Sequence, residues 1–111
     1  DAGPSPARLL ATAVAHCLSA SLLFALRKFR NEPGAMRTVA RAHMARNEAR
    51  RLRVGRIEVD LHLGRPAGEL QMLDRILAQF EDFCTVTQSV RGAVTVDVQV
   101  FDATGARLHP G

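Results

Sequence analysis

Tryptophan and tyrosine are absent from this 111-residue chain, lysine occurs once and cysteine twice. Without the two large amphipathic aromatics, the core has to be aliphatic, helped by five Phe. Two cysteines cannot form the dense disulfide framework that staples small secreted domains. No Cys-x-x-Cys pair exists, so structural zinc lacks the short ligand spacing it needs. No Gly-rich phosphate loop and no Ser-His-Asp-like arrangement is present either. Aromatics are also missing between Phe29 and Phe80, the stretch that holds the densest basic segment, Arg46-Asn47-Glu48-Ala49-Arg50-Arg51-Leu52-Arg53. Charge with no interleaved stacking residues fits a solvated hairpin turn better than a nucleic-acid surface. The net charge of +4 comes mainly from arginine. That bias reflects a GC-rich coding sequence as readily as a phosphate-binding surface.

What is present is the composition of an ordinary globular protein, 47% hydrophobic and 23% charged. Its length suits one domain, 1–111, large enough for a core and too short for a second. Leu9 to Leu26 carries no formal charge, but at 1.5 Å per residue it reaches only about 27 Å, the short limit for a bilayer. Thr12, His16, Ser19 and Ser21 interrupt it. A central helix covered by protein is therefore expected, and no membrane association. Two cysteines and no signal-peptide pattern lead to the expectation of a reducing, cytoplasmic compartment.

Ser5-Pro6 is a strong helix start, the serine accepting an orphan N–H and the proline having none to lose. The helix pattern runs to about Phe29 or Arg30, and apolar residues all round it predict burial on several sides. Two period-two segments follow, Met36 to Arg46 and Leu52 to Leu63, joined through Asn47 to Arg51. In the second, Ile57, Val59, Leu61 and Leu63 alternate with Arg56, Glu58, Asp60 and His62. Glu69 to Phe83 has helical spacing through Leu70, Leu73, Ile76, Leu77, Phe80 and Phe83, and Thr85 to Arg91 could add one turn. Ala93 to Phe101 is a last strand, before a polar tail from Asp102. The expected class is α+β, in the order α-β-β-α-β.

Cys17 falls in the middle of the first helix and Cys84 closes the second helical pattern. Two thiols far apart in sequence are what a thiol peroxidase needs, one to attack a peroxide and one to resolve the sulfenic acid. A free cysteine is also often a small buried hydrophobe. Arg8 is about 13 Å from Cys17 along the helix axis and cannot assist it. His16 points about 100° away and is expected to be a packed residue rather than a base or metal ligand. His43 and His62, on polar strand faces, read as solvated.

Gly3-Pro4-Ser5-Pro6 leading into Leu9-Leu10-Ala11-Thr12-Ala13-Val14-Ala15-His16-Cys17-Leu18, then a strand pair and a helix ending at Cys84, resembles the OsmC/Ohr family. These are the osmotically inducible and organic-hydroperoxide-resistance proteins. The resemblance runs from Gly3 to about Leu108. It implies a thiol-dependent peroxidase that reduces organic hydroperoxides, with Cys17 peroxidatic and Cys84 resolving. It further implies an intertwined homodimer with the central helices in its core, a dithiol reductant as partner, and no cofactor or metal. A divergent OsmC-like dimer without peroxidase activity is the alternative. The family domain usually opens with an N-terminal antiparallel meander bearing an assisting arginine, whereas this sequence opens at the helix. The arginine's partner carboxylate is replaced by Ala7, and the residue after Cys84 is Thr85 where the family usually has proline.

Overall fold

The computed structural model describes residues 5–110. Gly3 and Pro4 of the helix-start motif, and Gly111 at the end of the tail, lie outside them. Helix α1 spans Pro6–Lys28. The Ser5 side chain accepts a hydrogen bond from the Arg8 N–H at 3.2 Å, the capping its sequence predicts. Arg27 and Lys28 in the last turn complement the helix dipole. Arg30, at φ 63°, turns the chain out of the helix.

Strands β1 (Arg37–Arg46) and β2 (Leu52–His62) form an antiparallel hairpin. Its turn is the basic segment: the Asn47 side chain accepts from the Arg51 N–H at 3.0 Å, and Arg50 adopts φ 63°. Gly55 has no partner in the register between Val54 and Arg56, and a Cβ there would meet the Ala45 Cβ at 2.9 Å. Strand β3 (Thr95–Phe101) runs parallel to β2, pairing Ile57 with Val96, Val59 with Val98 and Leu61 with Val100. These six side chains form the buried inner face of the sheet, part of one core with the buried stripe of α1.

The tail beyond Asp102, expected to be merely polar, contains a short strand, β4 (Arg107–His109), antiparallel to β3. Asp102 makes the turn. One carboxylate oxygen accepts from the Thr104 N–H and hydroxyl and from the Ala106 N–H, and the other from the Ala67 N–H. These donors, the Thr104 hydroxyl first, pull its pKa down to about 2.

The single amphipathic helix expected over Glu69 to Phe83 is instead broken into pieces. A 3₁₀ turn at Ala67–Glu69 is followed by α2 (Leu73–Gln79), a second 3₁₀ turn at Phe80–Phe83, and α3 (Thr85–Val90). A long-range latch accounts for the first break. Asn31, buried just past α1, donates to the Gln71 carbonyl at 2.8 Å and accepts from the Gln71 N–H at 2.6 Å. A backbone held this way at both its donor and its acceptor cannot join a helix ladder, and Met72 turns through φ 58° before α2 begins.

Helix α1 lies across β1 and β2 and packs against the α2–α3 segment. Its buried residues are Ala11, Val14, Ala15, Leu18, Leu22 and Leu26, one stripe at helical spacing. Within one copy of the chain, burial on several sides is therefore met on that stripe only. Leu9 is 55% exposed and Phe24 72%. By length and hydropathy alone α1 could cross a membrane, yet the sheet and the α2–α3 segment already occupy this stripe.

Candidate active site

Cys17 is half-buried on the flank of α1, and Cys84 is fully buried where the second 3₁₀ turn meets α3. Cys84 is the residue just before α3, with an extended backbone (φ −84°, ψ 98°). Its Sγ lies 2.9 Å from the Thr87 hydroxyl, itself buried. Burial pushes the Cys84 thiol pKa up. The neighbouring Cys17 thiol pushes it further, while Thr87 opposes both. The fold thus brings together two sulfurs that the sequence holds far apart. Cys84 is the protonated, sheltered member and Cys17 the accessible one.

Cys17 opens onto a cleft of about 560 Å³ between α1 and the α2 region, within the range of small-molecule sites. One wall is the α1 flank, where Cys17, Ser21, Phe24 and Lys28 recur at four, three and four residues. The other is built from Arg75, Ile76 and Gln79 of α2 with Phe80 and Phe83 of the 3₁₀ turn. Ile76 and Phe80 are buried and form the floor, while Phe24 and Phe83 stand exposed at the mouth. Arg75 lies over the Phe29 ring, its guanidinium carbon 5.7 Å from the centroid.

His16 is exposed beside Thr38 and Ala40, away from the cleft, as its helical angle predicts. His43 is engaged by Glu58, a bond that is the first cause of the lowered Glu58 carboxyl pKa. His62 stacks on Phe101 at 5.0 Å. Neither therefore stands as the free, solvated histidine expected from the strand pattern. Thr87, Lys28 and Arg75 carry no signal in a linear scan. Only the i, i+3 spacing of Cys84 and Thr87 at a helix start could have pointed to the first, and the cleft cations come from α1 and α2, distant segments that tertiary packing brings together.

A model of the OsmC-like protein family matches residues 1–99. The organic hydroperoxide resistance protein OhrB of Bacillus subtilis superposes with a TM-score of 0.73 at 17% identity, over 90% of this chain and 72% of that one. An organic hydroperoxide resistance protein OsmC from Legionella pneumophila gives 0.72 at 15% identity, over 90% and 71%. An OsmC-like protein of unknown function from Vibrio cholerae gives 0.71 at 16%, over 86% and 63%. No curated protein sequence matches. At these identities the superpositions establish the shared fold.

Proposed function

Since the chain belongs to the OsmC-like protein family, we propose that it is a thiol-dependent peroxidase for organic hydroperoxides, acting as a single OsmC-like unit in a cytoplasmic homodimer. The observation that carries this is the pairing of an accessible thiol at an apolar cleft with a buried second thiol beside it. Cys17, as thiolate, attacks the terminal oxygen of the hydroperoxide. The O–O bond breaks, the alkoxide takes a proton from water and leaves as the alcohol, and Cys17 becomes a sulfenic acid. Cys84 then loses its proton and attacks the Cys17 sulfur, releasing water and leaving a disulfide. A dithiol reductant returns both thiols by exchange. The raised Cys84 pKa suits the second role, since a sheltered thiol does not compete for the peroxide.

The homodimer is supported by the outer stripe of α1, where Leu9, Ala13, Ala20 and Phe24 are exposed together. A second copy covering that stripe would bury the central helices in an intertwined core. Sedimentation at micromolar concentration is expected to give a dimer, and a stable monomer would count against it.

The alternative, an OsmC-like dimer without peroxidase activity, draws support from Ala7 in place of a carboxylate and from Thr85 after Cys84. Cumene hydroperoxide with a dithiol decides between them. Cys17→Ser is expected to abolish turnover, and Cys84→Ser to accumulate a sulfenic acid at Cys17 that dimedone labels. Unchanged peroxide consumption in Cys17→Ser would leave the alternative.

A further inference from the structure

Thr87 is a hydroxyl in a place where valine, of the same shape, would avoid the cost of burying a polar group. Asn31, Thr87 and Asp102 are the buried polar residues among those described. Asn31 and Asp102 each hold a backbone segment in place through several hydrogen bonds. The Thr87 hydroxyl ties down no other element. Among the described residues its one side-chain partner is the Cys84 sulfur, at 2.9 Å. Both residues are 0% exposed, so water does not supply a hydrogen bond here. An anion formed at Cys84 depends on what the fold places beside it. The charged side chains of the same corner are occupied or turned outward: Glu81 is bonded to Arg91 and His109, and Asp82 is exposed. From α1, the titratable group that acts on the sulfur is the Cys17 thiol.

We propose that the Thr87 hydroxyl donates a hydrogen bond to the Cys84 sulfur during the resolving step, steadying it as an anion while it attacks Cys17. The Cys84 S–H bond and the Cys17 S–O bond break, the sulfur–sulfur bond forms, and the Cys84 proton leaves with the hydroxide as water. Thr87 keeps its own proton throughout. This rests on the peroxidase reading for its setting, but Cys84 attacks Cys17 in the same way whatever group leaves, so the step is measurable without peroxide.

A dithiobis-nitrobenzoate reagent provides that measurement. The Cys17 thiolate displaces one coloured thionitrobenzoate and keeps the other as a mixed disulfide. Cys84 then displaces the second, and stopped-flow absorbance separates the two releases. Cys84→Ser should give the first release only. Thr87→Val is expected to slow the second release about threefold to tenfold near neutral pH. Losing one hydrogen bond to a charged acceptor lowers the thiolate fraction by about tenfold or more, and the higher nucleophilicity of the bare thiolate offsets about half of that on a logarithmic scale. The gap should close at alkaline pH, where Cys84 ionises without the donor. Thr87→Ser, which keeps the hydroxyl, should stay close to wild type at every pH. The proposal is overturned by a wild-type protein that gives no second release, or by a Thr87→Val second release at wild-type speed. Slowing that persists at alkaline pH, or that is equal in Thr87→Val and Thr87→Ser, would also overturn it and mark Thr87 as a packing residue. The expected Thr87 dependence in a protein that does not consume cumene hydroperoxide would reject the proposed catalysis and leave the Thr87 assignment standing.

Discussion

The inner and outer stripes of α1 have much the same composition and opposite fates. Leu18, Leu22 and Leu26 on the inner stripe are fully buried among Ile57, Leu61, Phe80 and Val100. Leu9, Ala20 and Phe24 on the outer stripe are exposed. Apolar periodicity therefore marks which residues are able to be covered and does not say by what. On the inner side the chain supplies its own sheet. On the outer side, and in the cleft on the flank between the two, it supplies nothing further among the described residues.

The sharpest test of this contrast compares Leu22→Ala with Phe24→Ala. Truncating Leu22 opens a cavity in a filled core and is expected to cost about 2–5 kcal/mol in denaturant unfolding. Phe24→Ala removes a larger side chain yet should leave the stability of an isolated protomer within about 0.5 kcal/mol. Its effect should appear in the dimer–monomer equilibrium. Comparable losses of protomer stability from both variants would mean that the outer stripe is not a separate surface.

Asn31→Ala should have the next largest effect. The Gln71 N–H and carbonyl would lose their partners in a largely buried site, which costs about 1–3 kcal/mol. The α2 wall would also be freed from α1, so the cleft should lose ligand affinity while β1–β3 keep their hydrogen-exchange protection. Uniform loss of protection throughout the protein would show that the two sides do not separate.

Acid should have the smallest effect, and it acts on the sheet side. Asp102 has its pKa lowered to about 2 in the folded state against an ordinary value near 4. Its contribution to stability is complete above the unfolded-state pKa and is lost as pH falls from about 4 through 2. Asp102→Asn should flatten the stability profile in that window, read by thermal unfolding. A slope unchanged by the substitution would place the acid sensitivity elsewhere.

Where a signal is local, the sequence carries it. Ser5-Pro6 starts α1, the alternation from Ile57 to Leu63 corresponds to a strand with its apolar face inward, and Asn47 to Arg51 is a turn. The break at Met72 was not legible, because its cause is the Asn31 side chain, forty positions upstream of the Gln71 it holds. Nor was β4, since Arg107–His109 is too short to show alternation and follows a turn built on the four donors to Asp102. Both cysteines could be named from their neighbourhoods. Their contact, the Thr87 partner and the two cations of the cleft depend on how distant segments pack, which no local pattern records.

Strand β3 runs parallel to β2, and so the chain must cross from one end of the sheet to the other between Leu63 and Val94. Cys84 rides on that crossover, while Cys17 sits on the helix that precedes the hairpin. A bond between them would thus tie α1 to the crossover and close a loop that contains the whole β1–β2 hairpin. In the chain-entropy view, closing a loop of that length restricts the unfolded ensemble by on the order of 4 kcal/mol. The redox state of the pair would then be written into the melting temperature, the oxidised protein being the more heat-resistant form, and a thermal shift assay could serve as a redox gauge without any reagent touching the sulfurs.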